Sequence, residues 1–259
     1  MKREQISLHT LILCAICILA FPGFVHADVY LKYKQHVDPF NVMGQDQPAK
    51  DAVRETWIAK DMIRNDEGQQ TVIMRLDKKL VYFINKEQKT YAELPMDVEK
   101  MAKQAIEHDQ SMSEQEKDEA KRFLKEMLKD MSKISITVRE TDEKRQIGSW
   151  NCRKYIQTTT TSTGPSMTEI WATKDINLDY TLLNRMYAAS MMMMPSMKDS
   201  IDDIMKEMSK VQGVTVYSSS TTSVMDTQIK SSQQLLAYAD RKAPAGFYEP
   251  PQGYSKHEM

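Results

Sequence analysis

Apolar and polar positions alternate with period two through the first part of the chain after residue 50. Glu55, Trp57 and Ala59 share one side while Thr56, Ile58 and Lys60 share the other, and Val72, Met74 and Leu76 alternate with Thr71, Ile73 and Arg75. Both segments therefore predict strands. The run Leu80-Val-Tyr-Phe-Ile84 is apolar on both faces, which predicts a strand covered on both sides of its sheet; Asn85-Lys-Glu-Gln88 reads as a turn and Lys89 to Glu93 as the next strand. The first third is thus expected to be an antiparallel meander.

The period changes at Pro95. Val98, Met101, Ala102, Ala105 and Ile106 fall on one helical face behind Asp97 as cap, and Ser113-Glu-Gln-Glu116 is a capping box that opens a second helix. That second helix carries an apolar stripe of Ala120, Phe123, Leu124, Met127, Leu128 and Met131 opposite a charged face, so the stripe is expected to lie on something apolar. Strand pattern resumes at Ile134 to Val138, Ile147 to Trp150, Cys152 to Thr161 and Met167 to Thr173, with a turn at Thr163-Gly-Pro165. Helical spacing returns over Leu178 to Met192 and again from Lys198 to Lys210, and two strands close the pattern at Gly213 to Ser219 and Ser223 to Ala237. No Pro/Gly/Ser-rich linker divides these blocks. The expectation is one domain over residues 28–259, in β-β-α-α-β-β-α-α-β order, with helical insertions near 97–131 and 178–210.

Residues 1–27 change the picture of where the chain works. Lys2 and Arg3 precede the apolar run Leu11 to Phe21, and Val25-His-Ala27 supplies small residues for cleavage, the pattern of a secretory signal peptide cut after Ala27. A periplasmic or otherwise exported protein, soluble and with no transmembrane segment after signal removal, is expected. The whole chain has 35 Lys+Arg and 36 Asp+Glu; the signal takes Lys2, Arg3 and Glu4 with it and leaves a net charge of −2, interspersed in sign, which argues against nucleic acid as a partner. Cys152 is the one cysteine after residue 27, so an internal disulfide is ruled out there although the compartment permits one.

One short motif occurs twice. Glu55-Thr-Trp-Ile-Ala-Lys-Asp61 and Glu169-Ile-Trp-Ala-Thr-Lys-Asp175 both read E-x-W-x-x-K-D. In each, Trp lies mid-strand two residues after a Glu on the same face, and Lys-Asp marks the strand end, so both copies deliver a large aromatic ring to a sheet face.

Asp28-Val-Tyr30, Glu55-x-Trp57-x-x-Lys60-Asp61 with Arg64 and Asp66, Lys79 to Asn85 with Lys89-Thr-Tyr91, Trp150-x-Cys152-x-Lys154-Tyr155 and the ending Pro244 to Tyr254 resemble a family of exported bacterial proteins of unknown function, itself similar to the LolA/LolB group of lipoprotein carriers. The resemblance implies an α+β fold: a curved antiparallel sheet, an incomplete β-barrel, with amphipathic helices covering its concave face and lipid or acyl chains held between. Two features depart from the carriers, the long charged helical pair at 97–131 and the run Met191 to Met194.

A curved sheet must fill its concave side with helices or with a ligand. Trp57, Ile73, Tyr82, Ile84 and Trp171, with Met191, Met192, Met193 and Met194 on the lid, are the expected cavity residues for an apolar ligand, a lipid or lipoprotein acyl chain. Unbranched thioethers adapt to irregular apolar partners, which suits such a lid. The alternative is an interaction protein of the cell envelope, with an envelope protein as partner and an interior filled by its own side chains. A further rival is Cu(I) held by the methionines, but successive helical residues point about 100° apart, so at most two or three sulfurs share a face. No catalytic residue, metal site or cofactor is expected: three His remain, at 36, 108 and 257, and no nucleophile, zinc or phosphate-loop motif occurs.

Overall fold

The alternating segments form a meander in the computed structural model, which describes residues 28–131, 134–161, 164–176, 178, 200–224 and 227–257. Strand β1 spans Asp28–Val37, and a small two-stranded ribbon of β2 (Phe40–Val42) and β3 (Gln45–Gln47) follows it. Strands β4 (Lys50–Ala59), β5 (Met62–Glu67), β6 (Gln70–Arg75), β7 (Leu80–Asn85) and β8 (Thr90–Pro95) then pair each with the next. Helices α1 (Val98–His108) and α2 (Glu114–Met131) interrupt the sheet, and β9 (Ser135–Ile147), β10 (Trp150–Thr161) and β11 (Gly164–Thr173) resume it. Helix α3 (Ile201–Met208) precedes β12 (Val214–Val224), β13 (Thr227–Arg241) and the two-residue β14 (Ser255–Lys256).

Twelve of these strands make one sheet in the order β14-β8-β7-β6-β5-β4-β1-β13-β12-β11-β10-β9. The chain starts in the middle. Strand β1 is the seam: β4 to β8 run outward from one side of it, and β9 to β13 return from the far edge to its other side. Every pairing is antiparallel except that of β14 with β8. The class is α+β, a large curved sheet that is not closed into a barrel.

Both outer edges are guarded against pairing with another chain, as open sheets require. Strand β14 lies along β8 and takes up the backbone groups of Lys89 and Tyr91. Strand β9 is thick with charge from Arg139 to Arg145, and α3 packs along it with Ile204 buried. The Glu207 carboxylate of α3 accepts a hydrogen bond from the Val138 amide at 2.8 Å, satisfying a donor that the edge would otherwise leave to water. Between α3 and β12 the chain passes so close to β11 that a side chain at Gly213 would strike the Thr173 carbonyl oxygen, which only glycine at φ +115° avoids.

The helix starts form as their sequences predict. Asp97 Oδ1 accepts from the Lys100 amide at 3.0 Å, and Ser113 and Glu116 make the reciprocal box, with the Ser113 amide donating to Glu116 Oε2 at 2.7 Å. The apolar stripe of α2 behaves differently from expectation. Phe123 is 69% exposed and Met127 41%, because α2 packs mainly on its neighbour α1, with a Lys121–Glu107 ion pair between them, rather than along the sheet. Residues 1–27, most of the helical segment from Leu178 to Met192, and Met191 to Met194 lie outside the described residues. No helix among the described residues is long and apolar enough to cross a membrane.

Two-sided burial divides the core into layers. One face carries a continuous layer that joins Val29 and Leu31 of β1, Ile58, Ile63, Met74 and Val81 of the first meander, and Cys152, Trp171, Val216 and Leu235 of the second. The other face is split. Ala59, Ile73, Tyr82, Ile84 and Tyr248 form one cluster behind β4 to β7; Val138, Tyr155, Ile170 and Ala172 form another behind β9 to β11.

Candidate functional site

The two copies of E-x-W-x-x-K-D build closely similar surroundings. In the first, Glu55 pairs with Lys32 of the neighbouring strand at 2.9 Å, and Trp57 stands in register between Tyr30 and Arg64. Its ring lies 4.9 Å from that of Tyr30 and 5.0 Å from Phe247, over which the Arg64 guanidinium sits at 4.2 Å. In the second, Glu169 pairs with Lys154 at 3.2 Å, Trp171 stands in register with Tyr217, and Arg145 lies 4.1 Å over the Trp171 ring and 5.5 Å from that of Tyr217. A carboxylate tied to a lysine on the next strand, a tryptophan beside a tyrosine and an arginine on the aromatic group recur. Such guanidinium–ring contacts hold a cation without burying it in hydrocarbon.

The rings nevertheless face opposite ways. Trp57 belongs with the cluster behind the first meander, whereas Trp171 belongs to the continuous layer on the other face, so the two copies do not serve one interior. The reason is parity: Ile58, not Trp57, points into that layer, and on β11 it is Trp171, while Ile170 and Ala172 turn away from it.

Four of the expected cavity residues do come together. Ile73, Tyr82 and Ile84 are almost wholly buried, and half-buried Trp57 packs against them. What lies over them is the chain's own C-terminal segment: Ala243, Phe247, Tyr248 and Tyr254. Polar ties fasten it. Arg64 Nη1 donates to the Phe247 carbonyl at 2.8 Å, Arg75 donates to the Tyr248 carbonyl at 3.4 Å and pairs with Glu249, and the Tyr248 hydroxyl donates to Asp28 Oδ2 at 3.0 Å. Burial, then the Asp28 carboxylate, push the Tyr248 hydroxyl far above its ordinary pKa, so it remains a donor at any working pH. Arg64 is itself held by Asp66. Burial opposes ionisation of Asp66, but bonds from Arg64, Thr71 and Lys86 outweigh it and bring its pKa down to about 2. The aromatic residues of Pro244 to Tyr254 are the sequence signal for this strap; lacking any period, they predict neither helix nor strand.

Trp171, 6% exposed, is the fifth cavity residue and sits in the layer that crosses the seam. Ile176 and Leu178, just past the end of β11, are buried against the same layer. Cys152 is a free, buried thiol there, raised in pKa by burial and then by Asp175, with its sulfur 3.6 Å from the Trp150 carbonyl. Met191, Met192, Met193 and Met194 fall outside the described residues, and among those residues no group of three or more His, Cys, Asp or Glu is placed to hold a metal ion. No protein-family model matches the sequence, and comparison with curated proteins gives no significant match.

Proposed function

We propose that this chain is a non-catalytic binding module of the exported compartment, which shelters an apolar ligand such as a lipid or acyl chain against the face floored by Met74, Val81, Trp171, Val216 and Leu235. The observation that carries the reading is the continuity of that apolar layer across the seam of an unclosed sheet. An open curved sheet has no far wall of its own, so its inner face needs a cover or a guest. The helical covering and the likeness to the lipoprotein carriers belong to this same reading. The opposite face, where Trp57, Ile73, Tyr82 and Ile84 lie under the C-terminal strap, is structural. Ligand entry displaces the residues that cover the layer, Ile176 and Leu178 among them.

The three tryptophans make the test. In a chain keeping only Trp171, with Trp57 and Trp150 changed to Phe, addition of a long-chain fatty acid should shift the emission. In a chain keeping only Trp57 it should not. A shift confined to Trp57, or no saturable shift in either, contradicts the reading. The second reading, an envelope interaction protein with a self-filled interior, is favoured by one observation: the core residues of the layer are already buried within the chain.

A further inference from the structure

The turn end of the β9–β10 hairpin carries a feature that apolar binding does not use. A cleft of about 450 Å³ opens there, lined by Lys144, Gln146, Asn151, Arg153, Lys174 and Gln212 over a floor of Tyr155 and Ala172. Lys144 and Arg153 stand directly opposite each other in the β9–β10 register, and Arg153 is in turn opposite Ala172 of β11. Like charges directly opposite on neighbouring strands destabilise a sheet. Lys174 follows β11 by one residue and brings a third cation to the same cleft.

The surrounding carboxylates only partly answer this charge. Glu140 pairs with Arg153, and Asp175, which itself lines the cleft, is engaged by the Asn151 amide at 2.7 Å and by its side-chain nitrogen at 3.2 Å. Lys174 donates to Gln212 Oε1, a neutral acceptor, at 2.5 Å. Lys144 has no carboxylate partner among the described residues. A cross-strand cation pair with side-chain amides at its rim and a phenol at its floor is a set of donors arranged around a space, and an anion there would relieve the repulsion that the fold otherwise carries.

We propose that this cleft binds an anionic group of the phosphate type, held between Lys144, Arg153 and Lys174 with Gln146 and Asn151 donating from the rim. The source of that group is a free anion or the head group of a lipid. The head-group source rests on the apolar-ligand reading above: the cleft floor of Tyr155 and Ala172 faces away from the layer, but Cys152 and Arg145, which also line the cleft, stand on the layer's side, Cys152 within it and Arg145 over Trp171. An acidic lipid with its head in the cleft would pass its chains around this end of the sheet to reach the layer.

The test titrates the chain from residue 28 at low ionic strength with inorganic phosphate, with dihexanoyl phosphatidylglycerol below its micelle concentration, and with uncharged dihexanoylglycerol. Binding is read by calorimetry. Wild type should bind inorganic phosphate, and Lys144→Gln with Lys174→Gln should weaken it about tenfold, while Lys144→Arg retains it. Circular dichroism and thermal melting identify any variant that fails to fold. Phosphatidylglycerol binding more tightly than phosphate, with the excess lost in Trp171→Phe, assigns the anion to a lipid head group; equal affinity supports the cleft as a free-anion site. No phosphate binding by wild type, or binding indifferent to the double variant, overturns the proposal. Dihexanoylglycerol separates the two readings: if it binds while phosphate does not, the apolar site stands and the cleft proposal falls, and if only phosphate binds, the reverse holds.

Discussion

At the scale of single residues, the two tryptophans of the repeated motif do unequal work. Trp171 is almost fully enclosed in the continuous layer, and its change to Ala should cost about 3–5 kcal/mol, the range for large core truncations. Trp57 is half-buried and held at its rim by Tyr30 and Phe247, so the same change should cost clearly less. Urea unfolding of the two variants checks the order, and an equal or reversed loss contradicts the assignment of faces. Asp66 supplies a pH signature. Its pKa falls from an ordinary 3.8 to about 2 in the fold, so its stabilisation is complete above about pH 4 and disappears as the pH drops toward 2, a loss of roughly 2 kcal/mol. Asp66→Asn should flatten that part of the stability profile, and an unchanged acid limb would show that the Arg64–Asp66 tie contributes little. The motif itself was legible in the sequence, down to the glutamate and tryptophan sharing a face. The direction of each face was not, because alternation gives which residues go together and not which side of a twelve-stranded sheet they meet.

Among the elements, periodicity identified the meander, the helix caps and the return of strand pattern after residue 134, because each is a local property of a few adjacent residues. Periodicity misleads where tertiary partners decide. The α2 stripe has the amphipathic spacing of a core helix, yet Phe123 faces water, since spacing cannot say whether a partner surface lies within reach. The C-terminal strap is the clearer case. Its residues follow neither period, and what fixes them is a set of long-range ties to Asp28, Arg64 and Arg75. Tyr248→Phe removes the bond to Asp28 and should lower stability by about 1 kcal/mol, with the loss larger in a chain truncated after Lys242, which uncovers Ile73, Tyr82 and Ile84. Thermal melts of the two variants test this. A truncated chain as stable as wild type would show that the strap is not part of the fold's core.

For the molecule as a whole, one asymmetry organises the fold. The face behind the first meander is closed by the chain's own tail, the face that crosses the seam is a continuous apolar layer, and the cationic cleft is floored by Tyr155 and Ala172 on the side turned away from that layer. The repeated motif alone implies a single interior lined by both tryptophans. The sheet has two faces to cover instead, and it gives the tail one of them. In the proposed function the other layer is where an apolar guest would sit, and the most direct measurement is of what the protein carries. Protein purified without denaturant should yield, on organic-solvent extraction and mass spectrometry, a stoichiometric lipid or acyl species that is depleted when Val216→Asp is introduced into a variant that still folds. Extracts from wild type with no lipid above the level of a control protein, together with no uptake of added fatty acid, would contradict the account.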